Sequence, residues 1–261
     1  MERLILNFSG IYENEGYEWE NTGEIWDLTH LQGTDGYLDP ETEEYLRKKF
    51  RERCKNQGLP KIRILDNGNY HYMSKLLLET VKEPCYLLVF DHHTDMQPPA
   101  LLPVLSCGSW VLESMEQIDL ISGVCVIGPP EEAILTAKGI LPRKEMDRVE
   151  FISEETLHSH QAAEKLERIL KKTDESHAIY LSFDKDVLSK NVTETTWDQG
   201  IMDRGQMAEL LAICGKGHQL AGLDLCGEPG RNCTKVQCAV SSEMNREIIR
   251  LMEPALSAGQ D

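Results

Sequence analysis

Metal-binding side chains follow two short apolar segments of the 261-residue chain, residues 87–90 and 178–183, and a third candidate strand, residues 61–66, runs into a turn that carries His71. On extended backbone, residues two apart point to the same side, so the polar side chains after each segment can converge on one point. Carboxylates and imidazoles are common ligands of divalent metal ions, so the pattern predicts a metal site. The candidate ligands are His71, Asp91, His93, Asp95, Asp184 and Asp186.

The apolar segments are typical of strands buried on both faces of a parallel sheet. Open α/β sheets bind their ligands at the carboxyl ends of such strands. In a simpler interpretation, Asp66, Asp91 and Asp184 would only cap turns or helices. That interpretation does not account for the Asp-x-His-x-Asp and Asp-x-Asp spacings, so the metal site is the better prediction.

The three motifs resemble those of the ureohydrolases, the family that includes arginase, agmatinase and formimidoylglutamase. Residues 91–95, Asp-His-His-Thr-Asp, resemble the family's Asp-Ala-His-Thr-Asp signature. Residues 182–186, Ser-Phe-Asp-Lys-Asp, are similar to its Ser-Phe-Asp-x-Asp signature. Residues 68–71, Gly-Asn-Tyr-His, resemble a divergent form of its Gly-Gly-Asp-His turn. The order and broad spacing of the motifs match over most of the chain.

Predicted strands alternate with predicted helices along the chain, which favours a parallel α/β sheet. The resemblance implies an arginase-like three-layer sandwich with a central, mainly parallel sheet and a metal site at the carboxyl ends of its strands. No repeat, linker or low-complexity segment interrupts residues 1–261, which are therefore predicted to form one domain.

Three further segments carry secondary-structure predictions. Residues 11–34 are rich in Glu, Asn and Gly and predict a loop. Residues 154–172 follow a helix-start signal and contain Glu/Lys pairs, so they predict the longest helix. Residues 244–252 predict a shorter terminal helix.

Composition excludes several classes of function. The net charge of −17 disfavours nucleic acid and anionic membranes as partners. The apolar run at the N-terminus is too short for a signal peptide, and no segment is long enough to cross a bilayer. Eight scattered cysteines indicate a reducing compartment, so we expect a cytoplasmic protein. The spacing of Cys226, Cys233 and Cys238 fits no usual zinc pattern.

The resemblance implies two divalent cations. His71, Asp91, Asp95 and Asp184 would hold one ion, and Asp91, His93, Asp184 and Asp186 would hold the other. An oxygen-rich donor set favours Mn²⁺. Two such ions can lower the pKa of a bridging water, and the hydroxide would attack a guanidino, amidino or amide carbon of a small metabolite. As a ligand of both ions, Asp91 counts among the predicted catalytic residues.

One departure from the family concerns the proton shuttle. Ureohydrolases carry a Ser-His-Gly stretch whose His transfers a proton, and residues 106–108 here are Ser-Cys-Gly. Cys107 is therefore a catalytic candidate, since a thiol of lowered pKa could transfer protons. A plain buried cysteine is an equally good interpretation.

A second departure concerns substrate recognition. The family's last strand carries a Glu that pairs with the substrate guanidinium, and the matching position here is Gly227, with Glu228 one residue later. In a loop, a one-residue slip would let Glu228 take a catalytic role, whereas on a strand it would turn Glu228 away. Gln97, Asp198 and Gln199 are predicted to contact substrate, although the last two would also suit a surface turn.

Two functions of different class remain open. The first is a dinuclear metal-dependent hydrolase that cleaves a carbon–nitrogen bond of a small-molecule substrate. The second is a non-catalytic metal-binding member that acts as a regulator or assembly subunit, which Cys107 and Gly227 support. Perturbed ligand sets are costly unless they are used, so the enzyme is the better prediction. The chain could also form a homo-oligomer.

Overall fold

The computed structural model describes residues 1–17, 23–98 and 104–257. The strands are β1 (Arg3–Asn7), β2 (Gly23–Asp27), β3 (Tyr37–Leu38), β4 (Ile62–Ile64), β5 (Cys85–Phe90), β6 (Leu105–Ser106), β7 (Ile121–Ile127), β8 (Val149–Ile152), β9 (Ala178–Asp184) and β10 (Leu220–Cys226). The α-helices are α1 (Pro40–Asn56), α2 (Met73–Leu78), α3 (Trp110–Gln117), α4 (Glu131–Ile140), α5 (Arg143–Met146), α6 (Glu154–His158), α7 (Ala162–Leu170), α8 (Arg204–Cys214) and α9 (Lys235–Ser257).

One eight-stranded sheet organises the fold, with the strand order β2-β1-β4-β10-β9-β5-β7-β8. Every pairing in this sheet is parallel. The two short strands β3 and β6 form a separate antiparallel pair. The prediction of a central, mainly parallel sheet in an α/β fold is thus confirmed.

Helices cover both faces of the sheet. One core joins the sheet to α1, α2, α3 and α4, with Trp110 as its largest fully buried side chain. The other core joins the opposite face to α7, α8 and α9. All six residues of the central strand β5 are buried, as expected for a strand with helices on both sides. The predicted three-layer sandwich is therefore confirmed.

The predicted loop over residues 11–34 is wrong in part, since β2 lies within it and pairs with β1. Residues 18–22 of that segment lie outside the described residues. β2 is an edge strand whose Ile25 is 48% exposed and whose Trp26 alone is buried. A strand at the edge of a sheet needs no continuous apolar run, so the polar composition of residues 11–34 did not predict a strand there.

The predicted helix over residues 154–172 is wrong, because the structure divides it into α6 and α7. His160 between them has a φ of 56°, in the left-handed region that ends a helix. The longest helix in the described residues is α9, which begins nine residues before the predicted terminal helix at residue 244.

Among the residues that the structure describes, no helix combines the length and the apolar composition that a membrane span requires.

Candidate metal centre

The strands β4, β10, β9 and β5 are neighbours in the sheet, and their carboxyl ends meet at one edge. Asp91 follows β5 directly, Asp184 is the last residue of β9, and His71 ends a short 3₁₀ turn beyond β4. Parallel pairing fixes this arrangement, because successive strands must all end on the same side. The six predicted ligands are therefore brought to one edge of the sheet.

The first ligand group consists of His71, Asp91 and Asp95, whose ligand atoms all lie within 4.8 Å of one another. Nδ1 of His71 is 3.0 Å from Oδ2 of Asp91 and 3.3 Å from Oδ2 of Asp95. All three side chains are buried. The donor atoms thus point towards a common centre, as metal ligands do.

The second ligand group consists of Asp91, His93 and Asp186, again within 4.8 Å. Nδ1 of His93 is 3.3 Å from Oδ1 of Asp91 and 3.0 Å from Oδ2 of Asp186. Asp91 therefore presents one carboxylate oxygen to each group, Oδ2 to His71 and Oδ1 to His93.

Asp184 lies on the side of His71, with Oδ2 3.5 Å from Nδ1 of that imidazole. Its Oδ1 accepts a hydrogen bond of 3.0 Å from the backbone N–H of Asp186. The resemblance implied that both ions share Asp184, whereas here it groups with His71 and Cys226. Cys226 is in register with Asp184 across β9 and β10, and its Sγ donates to the carbonyl oxygen of Asn67.

Hydrogen bonds orient the candidate ligands. Nε2 of His71 is 2.8 Å from Oγ of Ser182, and Trp110 donates Nε1–H to Oδ2 of Asp95 over 2.6 Å. Nε2 of His93 is 3.2 Å from Oδ1 of Asp198. Partners of this kind fix the orientation of imidazole and carboxylate ligands.

Sequence reasoning missed three of the side chains near the ligands. Ser182 could have been found, because it precedes Asp184 by two residues on the same strand and so shares its face. Cys226 has a weaker signal, as it ends the strand beside β9. No sequence signal pointed to Trp110.

Burial and mutual hydrogen bonds shift the pKa values of the candidate ligands. Burial opposes a charge on His71, but hydrogen bonds to Asp91 and Asp95 raise its pKa well above the ordinary value. Burial would raise the pKa of Asp91, yet hydrogen bonds with His71 and His93 outweigh it and lower that pKa. Burial and the charge of Asp91 raise the pKa of Asp95 to about 7. Burial is also the main cause that raises the pKa of Asp186.

The donor atoms fit a pair of divalent cations. Two groups of carboxylate and imidazole donors share one carboxylate, and the protons held there are those that bound cations displace. Without such charges, the buried carboxylates would repel one another.

A cavity of about 290 Å³ opens over the ligands. Gln97 and Cys107, both predicted site residues, line it together with Trp197. Burial, followed by the charges of Asp95 and Asp91, raises the pKa of Cys107 to about 12. Proton transfer by Cys107 would therefore need a lower pKa than these surroundings give its thiol.

Glu228 does not line this cavity, so the structure places it away from its predicted catalytic position. Its carboxylate is fully buried in an ion pair with Lys185. At the preceding Gly227, the φ of +84° disfavours a side chain, and a Cβ atom would lie 2.3 Å from Oδ1 of Asp184. Gly227 has no carboxylate to offer a substrate, and that of Glu228 is buried in its pairing with Lys185.

The other two predicted substrate contacts differ from each other. Gln199 does not line the cavity, because its side-chain amide donates to the carbonyl oxygens of Leu188 and Thr193 within its own loop. The surface-turn interpretation therefore describes Gln199 better. The side chain of Asp198 is 76% exposed, and its Oδ1 lies 3.2 Å from Nε2 of His93.

The fold and the ligand groups define an α/β protein with a candidate metal centre at the carboxyl edge of a parallel sheet. The arginase family model matches residues 70–227, more than half of the chain, and the chain belongs to the arginase family.

Several known proteins are similar to this chain over most of its length. A Thermotoga maritima protein of uncharacterised function is 24% identical over 225 residues, covering 86% of this chain and 79% of that protein. Proclavaminate amidino hydrolase from Streptomyces clavuligerus has a TM-score of 0.68 at 15% identity, over 97% of this chain and 92% of that one. Formimidoylglutamase from Bacillus subtilis has a TM-score of 0.68 at 14% identity, over 98% and 87%. A formiminoglutamase from Trypanosoma cruzi, solved with Mn²⁺, has a TM-score of 0.65 at 11% identity, over 97% and 93%.

Proposed function

We propose that this protein is a hydrolase that binds two divalent cations and cleaves a carbon–nitrogen bond of a small molecule. The observation that carries the proposal is the position of Asp91, whose two carboxylate oxygens face the imidazoles of His71 and His93. A carboxylate shared by two ligand groups would hold two cations close together, as in two-metal hydrolytic sites. Membership of the arginase family supports the same chemistry.

Mn²⁺ is the cation we propose for both positions. Carboxylate oxygens outnumber imidazole nitrogens among the ligands, a donor set that suits Mn²⁺. The similar Trypanosoma cruzi formiminoglutamase was solved with Mn²⁺. When bound, two such cations would lower the pKa of a water molecule and polarise the carbon–nitrogen group of the substrate. The residues proposed to hold them are His71, Asp91, His93, Asp95, Asp184 and Asp186.

The remaining cavity side chains would bind the substrate and supply a proton. Hydrolysis joins the oxygen of water to the carbon, and the departing nitrogen must gain a proton. Cys107 is the proton carrier we propose, because it lines the cavity over the ligands and stands where ureohydrolases carry their proton-transferring His. Bound cations would lower the pKa of its thiol from the raised value described above. Gln97 offers both a hydrogen-bond donor and an acceptor to the substrate. Trp197 closes one side of the cavity, held by a hydrogen bond of 2.8 Å from Nε1 to Asn69.

The substrate class we propose is a guanidino, amidino or amide compound. Proclavaminate amidino hydrolase and formimidoylglutamase, both similar in fold, are named for amidino and formimidoyl groups. Gly227 and the buried Glu228 leave no substrate-binding carboxylate at the position where ureohydrolases carry one. A neutral amide needs no such partner, so amides are tested together with amidino and guanidino compounds.

A non-catalytic metal-binding protein is the second candidate. Cys107 in place of a histidine and Gly227 in place of a glutamate favour it, because both replace groups that ureohydrolases use on the substrate. Under this second candidate, the same ligands would bind cations with similar affinity, but the protein would act as a regulator or an assembly subunit.

Turnover by Mn²⁺-loaded protein separates the two candidates. A panel of amidino, guanidino and amide compounds is incubated with the wild type, Asp91→Asn and Cys107→Ala, and the release of ammonia or amine is measured. We expect turnover by the wild type, none by Asp91→Asn, and a loss of about 100-fold for Cys107→Ala. Cys54→Ala, which removes a thiol of α1, is the matched control. A wild type that binds two ions and converts no compound would favour the second candidate.

A further inference from the structure

We propose that Lys185 and Glu228 form a positioning pair, which holds the metal ligands Asp184 and Asp186 at the end of β9 in their binding geometry. Nζ of Lys185 is 2.8 Å from Oε2 of Glu228, and both side chains are fully buried. The inference rests on the proposed metal site and is independent of whether the protein turns over a substrate.

Further hydrogen bonds satisfy both charges. Ser241 and Asn245 of α9 donate to the carboxylate of Glu228 over 2.6 Å and 2.7 Å, and Tyr17 donates to it over 2.5 Å. Lys185 in turn donates to Asn245 over 3.0 Å and to Ser241 over 2.6 Å. The pair is thus anchored to a long helix instead of lying free in the core.

The pair also connects the end of β9, which carries two ligands, to the chain that follows β10 and β4. Lys185 stands between Asp184 and Asp186 in the chain, at the start of a 3₁₀ turn. The backbone N–H of Glu228 donates over 3.1 Å to the carbonyl oxygen of Asp66, which follows β4. One ion pair therefore joins the carboxyl ends of β9, β10 and β4.

Close packing makes the ligands sensitive to this connection. A Cβ atom on Gly227 would lie 2.3 Å from Oδ1 of Asp184 and 2.7 Å from the backbone nitrogen of Lys185. The chain before Glu228 thus runs directly against a predicted ligand. A shift of Glu228 would move this segment, and Asp184 with it.

Net stability is a weak explanation for the pair. Burying two charges carries a large desolvation cost, and an apolar pair of similar volume is often as stable or more stable. Fixed geometry is what the network of directional hydrogen bonds adds. Partners outside the ligand set of a metal site change metal affinity by about 10- to 100-fold when they are removed.

The test compares two buried ion pairs. The first variant is Lys185→Met with Glu228→Leu, and the control is Arg63→Met with Asp224→Leu. Nε of Arg63 is 2.7 Å from Oδ1 of Asp224, with side-chain exposures of 6% and 0%, so the two pairs are matched in burial. Like the first pair, the control pair joins neighbouring strands, in this case β4 and β10. Its carboxylate accepts a hydrogen bond from Tyr180.

Mn²⁺ affinity and ion number are measured by titration calorimetry on metal-free protein, and urea unfolding gives the stability. We expect the first variant to bind Mn²⁺ about 10-fold more weakly or worse, and the control to stay near the wild type. Equal losses in both variants, or wild-type affinity in the first, would overturn the inference. If the wild type itself did not bind Mn²⁺, both the proposed function and this inference would be contradicted.

Three single variants, Glu228→Gln, Lys185→Met and Lys185→Arg, keep the test decisive if the double variant does not fold. Glu228→Gln retains hydrogen-bonding capacity towards Ser241 and Asn245 but removes the charge, and we expect weaker Mn²⁺ binding. Lys185→Arg keeps the charge and should restore most of the affinity that Lys185→Met loses. Wild-type affinity in both Glu228→Gln and Lys185→Met would overturn the inference.

Discussion

Trp110 donates its indole N–H to Oδ2 of Asp95 over 2.6 Å, and the same oxygen lies 3.3 Å from Nδ1 of His71. The backbone of Asp95 has a φ of 49°, which is uncommon for a residue other than glycine. Its carbonyl oxygen accepts the backbone N–H of Val111 over 3.0 Å, at the start of α3. The start of this helix therefore holds both the side chain and the main chain of a predicted ligand.

We expect Trp110→Phe to weaken the binding of one of the two Mn²⁺ ions by about 10-fold, because Asp95 loses the donor that orients it. Titration calorimetry on metal-free protein measures the change. The matched control is Trp26→Phe, which removes an indole hydrogen bond to Glu24 in the edge strand β2. Unchanged affinity in Trp110→Phe, or an equal loss in Trp26→Phe, would contradict the role of Trp110.

Asp91→Asn should weaken the binding of both ions, because Asp91 is the residue that the two ligand groups share. Asp186→Asn should weaken chiefly one ion, since Asp186 lies in the second group alone. Ions per chain are counted by elemental analysis after dialysis against a fixed Mn²⁺ concentration. The same count in the two variants would be evidence against a shared Asp91.

Metal-free protein should be less stable at pH 8 than at pH 6. Burial raises the folded-state pKa of Asp95 to about 7, against about 4 for an exposed aspartate. A group with a raised pKa contributes stability below its unfolded value, and that stability is lost as the pH rises through 7. The raised pKa values of His71 and Asp186 act in the same direction.

Urea unfolding in the presence of a chelator measures this dependence. Asp95→Asn, which removes one of the titrating groups, should show a smaller fall between pH 6 and pH 8. A rise in the stability of the metal-free wild type over this range would contradict the pKa shifts described above. Mn²⁺ binding should strengthen over the same range, because the ions displace these protons.

Gly227→Ala should reduce both stability and Mn²⁺ affinity. A residue with a side chain at positive φ costs about 1 kcal/mol or more, and here the new Cβ would also meet Asp184. The matched control is Gly217→Ala, with a φ of +82° and open space around the glycine. Both variants should lose stability on unfolding in urea, but only Gly227→Ala should lose affinity for Mn²⁺. Equal Mn²⁺ affinities in the two variants would show that the contact with Asp184 is unimportant.

The part of the fold that surrounds the ligands could be predicted from sequence because apolar runs and parallel strands leave few alternatives. The buried run of β5, followed by alternating polar residues, placed Asp91 at a strand end without further information. The edge strand β2 and the break at His160 were missed, since neither changes the local apolar pattern. The prediction that residues 1–261 form one domain stays a prediction.

The candidate site was less predictable where partners come from distant segments. Spacing within a strand brought Asp184 and Asp186 together, but no spacing could reveal that Trp110 bonds to Asp95 or that Lys185 pairs with Glu228. For Glu228, the sequence left open whether the residue faces the cavity. In the structure, Glu228 faces the buried ammonium group of Lys185, because a buried charge of this kind needs a partner of opposite charge. The cytoplasmic location and a homo-oligomeric state stay predictions.

The metal content of the purified protein tests the central proposal most directly. After loading with Mn²⁺ and dialysis, elemental analysis is combined with electron paramagnetic resonance, which detects magnetic coupling between neighbouring ions. Two coupled Mn²⁺ ions per chain are the expected result, because Asp91 faces both ligand groups. One ion per chain, or two ions without coupling, would contradict the shared centre.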